Sequence, residues 1–121
     1  MNEIILVVED NEDIRESIVD ALELSDYKVY VAGNGRVALE LVNSVRPNLI
    51  LSDIMMPEVD GYALLKKLKE TQSTANIPFI FMTANTSGSD KKMAHDLGTD
   101  AYLIKPFDDE MLVNTIRKYI H

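Results

Sequence analysis

Two hydrophobic rhythms alternate along the chain. Short apolar runs, rich in β-branched residues, occur at Ile4–Val8, Lys28–Ala32, Leu49–Ser52, Phe79–Met82 and Ala101–Ile104. Each is the length of a buried strand and is bounded by turn-forming residues. Between them the apolar positions recur at helical spacing. The first helical segment carries Ile14, Ile18, Ala21 and Leu22 behind a candidate N-cap at Asn11. The second carries Val37, Ala38, Leu41, Val42 and Val45, entered through Asn34-Gly35 and closed before Pro47. The third carries Leu64, Leu65 and Leu68 behind Asp60-Gly61, with Asp60 as the cap. The fourth is short: Met93, Ala94 and Leu97, with Ser89 as cap and Gly98 as the C-terminal stop. The fifth places Met111, Leu112, Ile116 and Ile120 on one side. Asp108, Asp109 and Glu110 lie in its first turn, and Arg117 and Lys118 in its last, as the helix dipole favours.

Five strand–helix units in one domain spanning residues 1–121 predict an α/β fold, a parallel sheet covered by helices on both faces. Right-handed crossovers leave few arrangements. The flavodoxin-like order 2-1-3-4-5, a doubly wound three-layer sandwich, is the common five-stranded solution. In such sheets a ligand site lies beyond the carboxyl ends of the strands, at the switch point between strands 1 and 3. Polar residues gather at those ends. Strand 1 runs into Glu9-Asp10, strand 3 into Asp53, strand 4 into Thr83-Ala84 and strand 5 into Lys105-Pro106. Strand 2, at the far edge, ends in Gly33-Asn34.

Three carboxylates in one cleft repel one another, and a hard divalent cation removes the conflict. Mg²⁺ takes oxygen ligands and typically binds through one or two carboxylates plus phosphate oxygens. One carboxylate can then act as nucleophile toward an activated phosphoryl group, with the lysine and the hydroxyl meeting its oxygens.

Composition narrows the alternatives. Acidic residues outnumber basic ones 20 to 12, a net charge of -8, which disfavours non-specific nucleic-acid binding. The absence of cysteine excludes disulfides and thiolate metal sites. The start MNEIILVVEDN does not read as a signal peptide, and no apolar run approaches the ~18 residues of a membrane span, so a cytoplasmic protein is expected.

The segments VVEDN, DIMMPEVDG (a D-x-x-M-P-x-x-D-G pattern), TAN and YLIKPF, in that order and spacing, resemble the signature of the CheY-like receiver domain of two-component response regulators. The resemblance covers essentially the whole chain. It implies that Asp53 is the phosphoacceptor, that Asp10 binds Mg²⁺ (or Mn²⁺) directly and Glu9 through water, and that Met55 lends the metal its backbone carbonyl. It further implies that Lys105 pairs with Asp53 and then with its phosphoryl group. Pro106 is expected to follow a cis peptide. Thr83 and Tyr102 resemble the family's switch pair, acting on a face formed by the fourth helical segment, the fifth strand and the fifth helical segment. Met55 and Asn85 occupy positions that tune phosphoryl lifetime. The acidic pair is Glu-Asp where Asp-Asp is commoner, which keeps the charge and lengthens the reach by one methylene.

The implied function is a phosphorelay switch, not an enzyme acting on other substrates. Its implied partners are a sensor histidine kinase or histidine phosphotransfer protein and a downstream protein, without nucleic acid or membrane. Asp100 and Arg117 offer one charge pair of the sort used by dimerising regulators, while Ala101, Met111 and Thr115 are uncharged, so a monomer is expected. A receiver module belonging to a larger regulator or hybrid kinase, or a phosphorylation-independent pseudo-receiver, are the alternatives. Other phosphate chemistries fit less well. A haloacid-dehalogenase-type phosphatase looks for a second Asp where Met55 stands, and EDNED after strand 1 would repel a flavin or dinucleotide phosphate. His95 and His121 have no partner at metal-ligand spacing.

Overall fold

In the computed structural model, residues 3–54, 60–83 and 99–120 are described. The strands are β1 (Ile4–Val8), β2 (Lys28–Ala32), β3 (Leu49–Asp53), β4 (Phe79–Thr83) and β5 (Ala101–Ile104). The helices are α1 (Glu12–Leu24), α2 (Gly35–Val45), α3 (Gly61–Glu70) and α4 (Asp109–Tyr119), the last being the fifth helical segment of the sequence. The fourth helical segment lies outside the described residues, as do Met55, Asn85, His95 and His121. All pairings are parallel, in the order β2-β1-β3-β4-β5. The flavodoxin-like topology expected from the sequence is therefore the one observed.

Alternation along the strands builds two cores. Ile5, Val7, Leu49, Leu51, Ile80 and Met82 point to one face, where Ile18 and Leu22 of α1 and Leu112 and Ile116 of α4 cover them. Leu6, Val8, Ile50, Phe79 and Phe81 point to the other, under Ala38 and Val42 of α2 and Leu64, Leu65 and Leu68 of α3. Because both faces are covered, the central strands read as unbroken apolar runs rather than as alternating ones.

Each described helix starts on a side-chain cap. Asn11, Asn34, Asp60 and Asp108 accept from the backbone N–H of Ile14, Val37, Ala63 and Met111 respectively. Asp108 is thus the cap of α4 and not part of its first turn. In the same helix Met111 is 52% exposed, whereas Val113 is buried. The sequence spacing placed Met111 on the apolar side. The wide stripe of α4 instead turns through Leu112, Val113 and Ile116 toward α1 and the sheet.

The amino ends of β1 and β4 are closed by side chains. Asn48 Oδ1 accepts from Ile4 N–H at 2.7 Å, while Asn48 N–H donates to Ile4 O at 2.7 Å. Asp100 repeats the arrangement on β4, its Oδ2 accepting from Phe79 N–H at 2.8 Å and its N–H donating to Phe79 O at 2.9 Å. The Asp100 carboxylate thus serves its own sheet through Oδ2.

Candidate functional site

At the carboxyl ends of the strands, polar side chains face one another. Asp53 is the last residue of β3 and Thr83 the last of β4, while Glu9 and Lys105 follow β1 and β5 directly. One carboxylate oxygen from each of Glu9, Asp10 and Asp53 lies within 4.8 Å of the others. The Lys105 ammonium sits between two of them, 2.8 Å from Glu9 Oε1 and 3.2 Å from Asp53 Oδ2. The other Asp53 oxygen accepts from Ile54 N–H at 2.8 Å.

The three acids differ in setting. Glu9 is 1% exposed, Asp53 is half-buried and Asp10 is exposed. A carboxylate as enclosed as that of Glu9 needs partners, and it has them. Oε1 takes Lys105, and Oε2 takes the Asn11 N–H at 3.3 Å. The Glu9 backbone is held as well, its N–H donating to Ala32 O at 3.0 Å and its carbonyl accepting from Arg15 Nη1 at 3.0 Å. Burial alone would pull the Lys105 pKa down. The hydrogen bond to Glu9, the charges of Asp53 and Glu9, and the hydrogen bond to Asp53 outweigh it, and the net displacement is upward.

Backbone packing sets the position of Asp53. Gly61 N–H donates to Ile54 O at 2.8 Å, bringing the start of α3 against the end of β3. A Cβ at Gly61 would collide with the Asp53 carbonyl oxygen and come within 2.8 Å of Ile54 Cα and 2.9 Å of Phe81 Cε1. Only glycine permits that approach. On the opposite side, Lys105 N–H donates to Thr83 O at 2.8 Å, tying the lysine to the end of β4, and the Lys105–Pro106 peptide is cis, as expected. Thr83 is 4% exposed. Tyr102 is half-buried on β5, its ring tilted 42° to that of Phe81 at 6.2 Å. Beside Lys105 a groove of about 530 Å³ runs between α1 and the β5–α4 connection, walled by Ile14, Ile18, Pro106, Phe107 and Leu112.

Glu9, Asp10, Asp53, Thr83 and Lys105 are therefore found at one end of the sheet, as the sequence predicts. The Met55 carbonyl and Asn85 lie outside the described residues. Sequence reasoning missed Arg15 and the Asn11 N–H, both of which hold Glu9. The only signal for Arg15 was its being the single basic residue of α1.

Among the described residues, three carboxylates stand against one paired ammonium, which leaves excess negative charge in a pocket of oxygen donors. That donor set fits a hard divalent cation and suits neither a soft metal nor an anion. Among the described residues no helix is long and apolar enough to cross a membrane.

Comparison with known proteins agrees with this arrangement. The family profile described as response regulator receiver domain matches residues 5–117. Response regulator Rre1 of Synechocystis sp. is 39% identical over 96% of this chain and 51% of its own length. The chain spans about half the length of the curated relatives that head this comparison. Chemotaxis protein CheY4 of Vibrio cholerae superposes with a TM-score of 0.95 at 28% identity, covering 99% of this chain and 100% of that one. The receiver domain of sensor histidine kinase PA1611 from Pseudomonas aeruginosa has a magnesium ion coordinated in its active-site cleft. It superposes with a TM-score of 0.91 at 28% identity, over 98% of each chain.

Proposed function

The chain belongs to the response regulator receiver domain family of two-component signalling, and on that premise we propose that it is a phosphoacceptor switch with Asp53 as the reacting group. The observation that carries this reading is the convergence of Glu9, Asp10 and Asp53 at one end of the sheet, with the Lys105 ammonium shared between two of them.

The reaction follows from the arrangement. A carboxylate oxygen of Asp53 attacks phosphorus as the bond from phosphorus to its donor breaks. The donor nitrogen of a phosphohistidine, or the acetate of acetyl phosphate, leaves with the electron pair, and Asp53 becomes an acyl phosphate. Asp53 suits this role because it is partly accessible and held on both oxygens, so the nucleophile is oriented before the donor arrives. The Lys105 ammonium, a compact point charge, neutralises charge gathering on the phosphoryl oxygens. Glu9, Asp10, Asp53 and the Met55 carbonyl would hold Mg²⁺ or Mn²⁺. When bound, such an ion offsets the mutual repulsion of the carboxylates and the incoming phosphoryl group.

The new group adds about -1.5 to -2 of charge and three acceptor oxygens. The Thr83 hydroxyl hydrogen-bonds one of those oxygens, and Tyr102 turns inward into the space vacated. That remodels the surface of β5 and α4, where a downstream protein binds. A phosphoryl group can shift this equilibrium only by its differential affinity for the two states. Met55 and Asn85 tune how long the phosphoryl group survives. The chain catalyses only its own phosphorylation and dephosphorylation, with a histidine kinase or a histidine phosphotransfer protein as donor.

The test is labelling by acetyl phosphate with Mg²⁺, read by intact mass. The wild-type chain should gain one phosphoryl group and Asp53→Asn none. A phosphoryl group retained by Asp53→Asn would refute the assignment.

A further inference from the structure

Phe81 is the hub of an aromatic cluster on the side of the sheet covered by α2 and α3. Its side chain is fully enclosed. Three rings meet it: Phe79 edge-on with centroids at 5.0 Å, Tyr62 edge-on at 5.4 Å, and Tyr102 tilted at 6.2 Å. Tyr102 is also its register partner on β5. The same ring lies against the start of α3, since a Cβ at Gly61 would come within 2.9 Å of Phe81 Cε1. Phe81 and Thr83, two residues apart on β4, share one face of the strand. The neighbours differ in freedom. Phe79 is sealed in the core, whereas Tyr62 is half-buried in the first turn of α3.

We infer that Phe81 is a positioning residue that ties the place of the Tyr102 ring to the first turn of α3, so that the surface around Tyr62 changes together with β5. The inference goes beyond the receiver reading above, which sends the signal out over β5 and α4 alone, and rests on that reading only for its response to phosphorylation. The physical reason is close packing. A buried ring touched on several sides cannot lose or gain a neighbour without repacking, because protein interiors hold little spare volume. An inward turn of Tyr102 changes what Phe81 meets on its β5 side. Phe79 is sealed, and Gly61 is backbone tied to Ile54 O at 2.8 Å, so neither gives way. Tyr62 is the neighbour with room to move, and its edge-on contact with Phe81 favours a particular geometry. A shift of Phe81 is therefore passed to Tyr62. The coupling is reciprocal, so a change at Tyr62 biases Tyr102 in turn.

The coupling is measured first without metal or phosphodonor. The five tyrosines are replaced by fluorotyrosine, and their fluorine NMR signals are assigned by changing each to phenylalanine in turn. Tyr102→Leu should move the Tyr62 signal in the wild-type background, and beside Phe81→Leu by less than about a third as much. Thermal unfolding confirms that each variant folds, and Phe81→Met replaces Phe81→Leu should the latter fail to. A Tyr62 signal that ignores Tyr102→Leu, or moves equally in both backgrounds, would overturn the inference. Beryllofluoride with Mg²⁺, a phosphoryl mimic, should then move the Tyr62 and Tyr102 signals together in the wild type, and Tyr102 alone beside Phe81→Leu. A wild-type chain in which Tyr102 responds and Tyr62 does not would overturn it too, as would a Tyr62 response undiminished by Phe81→Leu. Failure of Asp53 labelling would leave the first comparison readable, so the two readings fall separately.

Discussion

The two ends of the sheet use the same residue types for opposite purposes. At the amino ends Asn48 and Asp100 each turn a side-chain oxygen onto the first N–H of a neighbouring strand. Those oxygens are spent on backbone, and the strands are registered by them. At the carboxyl ends Glu9, Asp10 and Asp53 turn toward one another and share one lysine. The difference teaches that a strand-end acid is defined by its partner. An acid facing a backbone N–H stabilises the fold, whereas an acid facing other acids leaves a charge imbalance that a cation and a phosphoryl group can exploit.

Substitutions that separate stability from reactivity would break or sharpen this contrast. The largest effect is expected at Gly61, where a methyl group must enter space held by the Asp53 carbonyl and the Phe81 ring. Gly61→Ala should cost about 1–3 kcal/mol in urea unfolding and also slow acetyl phosphate labelling, because relief of the clash displaces the end of β3. A variant with normal labelling would show that the approach of α3 does not position Asp53.

At the amino ends, stability should move alone. Asp100→Ala leaves the Phe79 N–H without its acceptor and should cost about 1–3 kcal/mol, and Asn48→Ala, at a more exposed bond, about 0.5–1.5 kcal/mol. Asp100→Asn keeps an acceptor oxygen and should recover most of the loss. Labelling rates measured well below the unfolding midpoint should match wild type in all three. A slowed rate would mean that the two ends are not independent.

The smallest effect concerns pH. Lys105 has its pKa raised in the folded chain, so its contribution to stability is fully present below the ordinary lysine value. It is lost as pH rises from that value through the raised one. The stability difference between wild type and Lys105→Met, followed by urea unfolding at increasing pH, should therefore be constant at neutrality and shrink in the strongly alkaline range. A difference that grows with pH would contradict the sign.

Much of this organisation was legible in the sequence because it is local. The strand runs, the caps at Asn11 and Asp60, and the acids and lysine at strand ends all follow from neighbours a few residues apart. The parallel order then brought those ends together. What sequence could not supply was partnership across space. That Asp100 reaches the Phe79 N–H depends on where β5 begins relative to β4. Whether Lys105 favours Glu9 or Asp53 depends on tenths of an ångström. The misplacement of Met111 has the same origin: the pattern of α4 fits either of two overlapping stripes, and packing against α1 selects the one containing Val113.

The central claim is that Asp53, not another member of the acid cluster, takes the phosphoryl group. Locating the modification tests it most directly. The chain is incubated with acetyl phosphate and Mg²⁺, the acyl phosphate is reduced with borohydride, and the peptides are sequenced by tandem mass spectrometry. The account predicts conversion of Asp53 to homoserine, with Glu9 and Asp10 unaltered. Modification at Glu9 or Asp10, or none at all in the folded wild-type chain, would contradict it.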